Sequence, residues 1–171
     1  LVGSMFGPSL PAGMYKIKLI KGKESYDSQF ELTYDSSSPY SDDDRKVQYE
    51  YTINLYNMTE DLAYIYYALQ EMTNQAKVRA ESDEKQSKKL LAFAETTEKL
   101  GGSLVSLSGD FYVDEGEQIG ELISQLYRYV SSYPGRPSDS QIARAEILED
   151  KLDIVREKFQ ILVTINLQKI N

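Results

Sequence analysis

Residues 47–78 read VQYEYTINLYNMTEDLAYIYYALQEMTNQAKV, and their apolar side chains recur at spacings of three and four residues. This spacing is sustained over several heptads, which is typical of an α-helix that packs along one face. We therefore predict a long first helix with one buried stripe. The stripe consists of Val47, Tyr51, Leu55, Met58, Leu62, Ile65, Leu69, Met72 and Ala76.

Three shorter stretches with the same spacing follow. Ser82 is the expected N-cap of a second helix that ends at the Gly-Gly pair 101–102, and a third helix is predicted over residues 115–130. Ser138 and Gln141 form a capping box at the start of a fourth helix. Four amphipathic helices joined by short links bury their stripes together as a bundle. The expected inner positions are Gln86, Leu90, Phe93, Thr97 and Leu100, then Ile119, Leu122, Leu126 and Tyr129 or Val130, then Ala145, Leu148, Leu152, Val155, Phe159 and Leu162.

Residues 14–34 instead alternate with a period of two, which predicts a β-hairpin turning at Gly22. An isolated hairpin is marginal in water, so this one is expected to pack on the helices, pair with another chain or belong to a larger sheet. The predicted fold is thus mainly α: a hairpin over residues 8–35 and an antiparallel four-helix bundle over residues 36–171. Residues 1–7 are interpreted as the remnant of a tag or linker.

An acidic stretch joins the hairpin to the first helix, and it has two interpretations. Ser41 fits an N-cap with three aspartates beside the positive end of the helix dipole. The alternative is a calcium loop built from Asp35 and the aspartates at 42–44. An EF-hand loop needs alternating acids, a central Gly and a terminal Glu, which favours the cap.

The composition excludes several kinds of chemistry. The chain has 171 residues, a formal charge of −8, and neither His nor Cys. It therefore lacks the residues for a Ser-His-Asp triad, a His or Cys metal site or a thiolate nucleophile. The negative charge disfavours nucleic acid. No stretch reaches the roughly 20 apolar residues that cross a bilayer. We expect no cofactor, no metal and no enzymatic activity.

Two groups of residues could still form a site. The carboxylate pairs Glu146 with Asp150 and Asp114 with Glu117 could act as acid and base, but they are expected on solvated faces or caps. Tyrosine is abundant, with 14 residues, and it favours surfaces that bind sugars or proteins. Alternatively, the tyrosines line the rim of the core. The candidate ligand-binding tyrosines are Tyr64, Tyr66, Tyr67, Tyr127, Tyr129 and Tyr133.

Several short motifs resemble one protein family. PSLPAGMYKIKL at 8–19, LISQLY at 122–127, PSDSQ at 137–141 and VTINL at 163–167 are similar to the C-terminal region of bacterial sortilin-like (VPS10/BNR-repeat) β-propeller proteins, which are often labelled glycosyl hydrolases. In that family an Ig-like strand region ends in such a hairpin and precedes helices. The chain departs from the family at Asp35, which is followed by Ser36 and Ser37 rather than by Pro-Arg.

The resemblance implies an exported protein, periplasmic, secreted or at the cell surface, whose propeller lies outside these residues. Any hydrolase site would belong to that propeller. The chain would then be a non-catalytic structural or interaction module that contacts its own propeller or Ig-like domain. A homodimer through the hairpin edges is a further expectation. The alternative function is a carbohydrate- or peptide-binding module that uses the tyrosines.

Overall fold

A computed structural model describes residues 7–105 and 118–166, with the side chains of 165 and 166 excepted. It confirms the predicted fold class, a mainly α chain in which a β-hairpin precedes an antiparallel helical bundle. A single turn of π-helix, Leu162–Asn166, extends the last helix. The elements are β1 (Gly13–Lys21), β2 (Glu24–Leu32), α1 (Asp42–Ser82), α2 (Ser87–Gly102), α3 (Ile119–Ser132) and α4 (Asp139–Ile161).

Helix α1 is the central helix of the bundle, and each of the other three helices packs on it. It contains 41 residues, which corresponds to about 60 Å at 1.5 Å per residue. The Ser41 hydroxyl accepts a hydrogen bond from the backbone N–H of Asp44 at 3.1 Å, so the predicted N-cap is confirmed. The capping box of α4 is confirmed as well, because the side chains of Ser138 and Gln141 each bond the other's backbone N–H.

Helices α2 and α3 lie against successive lengths of α1. The hydroxyls of Thr73 on α1 and Thr97 on α2 are 2.7 Å apart. Nearer the start of α1, Gln48 donates to the carbonyl of Val130 at the end of α3, at 2.8 Å. Both helices therefore run antiparallel to α1, and α2 and α3 follow one another in the same direction along it.

Helix α4 covers only the first part of α1 and runs parallel to it. Arg156 bonds Asp61 at 2.5 Å, and the rings of Tyr64 and Phe159 are 6.3 Å apart. The first half of α1 with α3 and α4 thus forms a three-helix section. The second half of α1 packs mainly on α2, and we call this pair the two-helix section.

The core consists mainly of the predicted stripes, but on α3 it also contains Ile123 and Tyr127, which were not predicted, while the predicted Leu122 is only half-buried. Leu55, Leu62, Leu69, Leu90, Leu148 and Leu152 are fully or almost fully buried. On α3 the buried residue at the end of the stripe is Val130, while Tyr129 is exposed. Leu104 and Val105, in the loop after α2, are buried against the bundle. The rest of that loop lies outside the described residues.

Of two further expectations about helix ends, one is wrong and one is confirmed. Ser82 is the last residue of α1 and does not cap α2. The N-cap position of α2 is instead Gln86, whose side chain makes no cap bond. The carboxylate of Asp83 accepts from the backbone N–H groups of Lys85 and Gln86, at 3.1 and 3.2 Å, in the turn before the helix. The Gly-Gly pair ends α2 as predicted, at Gly102, and the following Ser103 keeps a helical φ of −84°.

The hairpin has the predicted register and turn. Tyr15 faces Phe30, Leu19 faces Tyr26, and the chain reverses at Gly22 with a φ of +63°. The rings of Tyr15 and Phe30 stack with centroids 5.6 Å apart. Within the described residues, neither strand packs extensively on a helix. The hairpin was expected to pack on the helices, to pair with another chain or to belong to a larger sheet. The fold does not show the first of these.

Candidate functional site

The hairpin exposes apolar side chains on both of its faces. Successive residues of a strand point to opposite sides, so Ile17 and Ile20 lie on different faces, and they are 51% and 68% exposed. Leu19, Tyr26 and Phe30 share the face of Ile17, and Met14 shares the face of Ile20. We call these seven residues, including Tyr15, the hairpin surface. Among the residues that the structure describes, the sheet has two strands, so each strand also has one unpaired edge.

The base of the hairpin is fixed to the bundle by Arg45 of α1. Its guanidinium lies 4.3 Å from the centroid of the Tyr34 ring and 5.8 Å from that of Tyr40. It also donates to the Ser38 hydroxyl at 2.5 Å. Cation–π contacts of this kind stabilise by about 0.5–1 kcal/mol at exposed sites. The hairpin is thus attached to one end of the bundle while its strands project from it.

The first turn of α1 is also joined to the link between α3 and α4. Arg136 forms ion pairs with Asp43 and Asp44, and Tyr40 packs edge-on against Tyr133 with ring centroids 5.4 Å apart. The hydroxyl of Ser41 and the guanidinium of Arg136 hold the pKa of Asp44 below its ordinary value. These contacts occupy two of the acids considered for a calcium loop.

No group of three or more acidic side chains within the described ranges is arranged to hold a metal ion. Asp35 bonds the backbone N–H and the hydroxyl of Ser37, both at 2.8 Å, and these bonds lower its pKa. In the same ranges, no helix is both long and apolar enough to cross a bilayer.

The six candidate tyrosines occupy different environments. Tyr66 and Tyr127 are buried, and burial raises the pKa of each phenol. The other four are exposed, and two of these, Tyr64 and Tyr67, lie one turn apart on α1, whereas Tyr129 and Tyr133 lie at the end of α3.

The ring contacts of these tyrosines join only one pair of them. Tyr66 and Tyr67 pack edge-on with centroids 5.7 Å apart. Tyr64 contacts Phe159, Tyr127 contacts Tyr56, and Tyr133 contacts Tyr40. The set therefore divides between the middle of α1 and the junction near the hairpin, and its buried members help to form the core.

The carboxylates of Glu146 and Asp150 line an open groove of about 450 Å³ between α1 and α4. Both residues are exposed, as expected for a solvated face. Glu50 and Glu149 line the same groove, and the sequence did not single them out. Glu149 accepts from Arg156 at 2.7 Å, so one of the four acids is neutralised. The other predicted pair, Asp114 and Glu117, lies outside the described residues.

The chain matches no protein-family model, no curated protein and no solved structure. The resemblance to sortilin-like propeller proteins therefore stays a prediction, as do the export and the propeller domain that it implies.

Proposed function

We propose that this chain is a non-catalytic interaction module that presents its β-hairpin for strand pairing. The observation that supports this proposal is the hairpin surface, which is apolar on one face, carries the exposed Met14 and Ile20 on the other, and borders two edges that are free within the described residues. Because the helices leave these side chains in solvent, burying them requires another polypeptide segment. Arg45 meanwhile contacts Tyr34 at the base of the hairpin and so holds that base near the start of α1.

An additional strand would stabilise the hairpin in two ways. It would satisfy backbone donors and acceptors along an edge, and its side chains would cover part of the apolar faces. An isolated two-stranded sheet is only marginally stable in water, and a third strand increases its stability. The strand would come from the Ig-like region of an exported propeller protein to which this chain belongs. A second copy could supply it instead, through the hairpin edges.

Amide hydrogen exchange with and without a strand peptide tests the proposal. The probe is a synthetic peptide with the β1 sequence, Gly13–Lys21. We expect the hairpin amides to exchange rapidly in the dilute protein and to become protected when the peptide is added. The double variant Ile17→Lys/Leu19→Lys should lose this protection, because it places two charges on one face of the hairpin.

A matched control carries the same change on the helices. Val78 and Leu91 are exposed on α1 and α2, so Val78→Lys/Leu91→Lys should leave the protection by the peptide intact. The proposal is contradicted if neither saturating peptide nor a high protein concentration slows the exchange of the hairpin amides relative to the dilute protein alone.

A second candidate function is the binding of a carbohydrate or peptide by the exposed tyrosines of α1. The exposure of Tyr64 and Tyr67 on neighbouring turns favours it, since aromatic faces stack on sugar rings and peptides. A true ligand raises the melting temperature in proportion to RT ln(1 + [L]/Kd). In a thermal-shift screen of glycans and peptides, Tyr64→Ala/Tyr67→Ala should abolish such a shift. Tyr129→Ala, another exposed tyrosine, serves as the control.

A further inference from the structure

Helix α4 carries an exposed apolar stripe that the fold does not use. Ile147, Ile154 and Ile161 are 55%, 53% and 47% exposed. They are seven residues apart, so they return to nearly the same side of the helix, within about 20° per heptad. The three side chains form a continuous file about 21 Å long at 1.5 Å per residue. We call this file the isoleucine stripe.

Charged residues border the isoleucine stripe in two separate files. On a helix, positions i−4 and i+3 lie on one side of residue i, and positions i−3 and i+4 lie on the other. Relative to Ile154, the acids Asp150 and Glu157 therefore lie on one side, and Lys151 and Lys158 lie on the other. Opposite charges are thus separated by the stripe itself.

These four charges find no counter-charge in the described part of the molecule. All four are exposed, and none of the ion pairs there uses any of them. Within α4, no residue three or four positions from any of them carries the opposite charge. In contrast, Arg156 on the same helix is paired with three acids.

We propose that the isoleucine stripe is the interface of a parallel homodimer, in which α4 of a second copy packs along α4 about a twofold axis parallel to the helix. This axis brings the acidic file of one copy beside the lysine file of the other. Asp150 then lies near the partner's Lys151, and Glu157 lies near the partner's Lys158. The same pairs form again on the other side of the interface.

The charges select the parallel arrangement. In an antiparallel pair centred on Ile154, Lys151 would lie beside Lys158 of the partner subunit, and the acids would lie beside each other. Such like-charge contacts disfavour that orientation.

The parallel arrangement has a consequence for the hairpins. Because α4 runs parallel to α1, and the hairpin is fixed near the start of α1, both hairpins of the dimer lie at the same end. A dimer of this kind would present two strand-pairing sites side by side, which increases avidity for a bivalent partner. The dimer itself depends only on α4 and does not rest on the function proposed above.

A single cysteine reports the orientation, because the chain has none of its own. In the parallel dimer, position 147 of one copy faces position 147 of the other, so Ile147→Cys should form a disulfide-linked dimer under mild oxidation. In an antiparallel dimer it would face position 161 and would not cross-link with itself. Val78→Cys, at an exposed position of α1, measures collisional cross-linking. If Ile147→Cys cross-links no faster than Val78→Cys, the proposal is overturned.

Charge and apolar variants test the composition of the interface. In the Ile147→Cys background, Ile154→Glu should abolish cross-linking, whereas Leu91→Glu at an exposed position of α2 should not. Asp150→Lys/Glu157→Lys alone and Lys151→Glu/Lys158→Glu alone should each be monomeric. An equimolar mixture of the two should restore dimers.

The hairpin variant separates this dimer from any pairing of hairpins. Ile17→Lys/Leu19→Lys should leave the cross-linking of Ile147→Cys unchanged. Circular dichroism of each variant confirms that the helices are folded. The proposal fails if the mixture stays monomeric, or if cross-linking survives Ile154→Glu or is lost with the hairpin variant.

Discussion

Gly120 in the first turn of α3 has no room for a side chain. A Cβ atom there would lie 2.8 Å from Cγ1 of Val105 and 3.0 Å from the carbonyl oxygen of Leu104. That carbonyl also accepts the backbone N–H of Gly120 at 3.0 Å, so the segment after α2 is closely seated on α3. We expect Gly120→Ala to lower the free energy of unfolding by about 1–3 kcal/mol, the usual effect of overpacking. Urea denaturation measures it.

Gly102, at the end of α2, supplies the matched control. A Cβ atom there meets nothing within 4 Å, so Gly102→Ala should stabilise slightly, by up to about 1 kcal/mol, through reduced backbone entropy of the unfolded chain. Equal effects of the two substitutions would show that Leu104 and Val105 are not seated on α3.

Asp44 couples the N-cap of α1 to the link before α4. Its pKa is lowered chiefly by the Ser41 hydroxyl and next by Arg136. A carboxylate whose pKa is lower in the folded state stabilises above its ordinary pKa of 3.8, and this contribution is lost as the pH falls through the folded value. Ser41→Ala should therefore raise the pKa of Asp44 in an NMR titration. It should also lower stability by about 1 kcal/mol at neutral pH, through the lost cap.

The control for this titration is Ser37→Ala. Ser37 lowers the pKa of Asp35 and does not contact Asp44. The Ser37→Ala substitution should therefore raise the pKa of Asp35 and leave the titration of Asp44 unchanged. A Ser41→Ala protein in which Asp44 titrates as before would show that the Ser41 hydroxyl does not donate to the Asp44 carboxylate in solution.

At the scale of elements, α1 and α2 share a buried pair of hydroxyls. Thr97 Oγ1 lies near the carbonyls of Phe93 and Ala94 and 2.7 Å from Thr73 Oγ1, which lies 2.8 Å from the carbonyl of Leu69. Because each hydroxyl has one proton, one threonine donates to the other, and the second donates to a backbone carbonyl. Removing one partner of a buried bond leaves the other less satisfied, whereas replacing both with apolar groups of similar shape is nearly neutral. Both threonines are buried.

We therefore expect the single variants Thr73→Val and Thr97→Val each to lower stability, by about 0.5–1.5 kcal/mol. The double variant should lower it by less than the sum of the two. A double-mutant cycle from thermal or urea unfolding gives the coupling free energy. Strictly additive effects would mean that the two hydroxyls do not interact. Thr96→Val, an exposed position of α2, is the control and should change little.

The elements themselves were largely predictable, because their signals are local. The spacing of apolar residues gave the buried faces of α1 and α4, and the caps at Ser41 and Ser138 follow from hydrogen-bonding chemistry within one turn. The expected cap at Ser82 was wrong because α1 continues through Ser82 and a turn bonded to Asp83 follows, so that α2 begins only at Ser87. Periodicity indicates which face of a helix is buried, but not which length of a neighbour covers it. The sequence pattern therefore could not predict that α2 and α3 pack end to end along α1.

The same limit applies to the candidate site. Tyr66 and Tyr67 are adjacent in sequence, yet only Tyr67 is exposed. Tyr66 is buried because the end of α2 passes over it, with Gly101 close to its ring. The exposure of the hairpin surface is likewise a tertiary property. Its alternation predicted strands correctly, but whether the helices cover them depends on how the linker leaves the bundle.

At the scale of the whole molecule, the three-helix and two-helix sections differ in how much surrounds α1. The first half of α1 is enclosed by α3 and α4, whereas the second half packs mainly on α2. Regions with fewer packed neighbours open at lower free energy than the globally protected core. The two-helix section should therefore open while the three-helix section stays folded. The three-helix section should open only when the two-helix section is open as well.

Native-state hydrogen exchange of two leucine variants tests this order. Leu148 on α4 and Leu90 on α2 are each 2% exposed, and truncation of a buried leucine destabilises by about 2–5 kcal/mol. If the two-helix section opens first, α4 is still folded in that open state. Leu148→Ala should then leave the exchange of the Ala76 and Ala80 amides unchanged and accelerate that of Leu55 and Met58.

Leu90→Ala should accelerate both groups of amides, because every opening that exposes the three-helix section also separates α2 from α1. The asymmetry between the two variants identifies the order, since a single cooperative unit would show equal acceleration everywhere. Equal acceleration of Ala76, Ala80, Leu55 and Met58 in the Leu148→Ala protein would therefore contradict a separately opening two-helix section, and it would mean that α1 transmits the loss of packing along its full length.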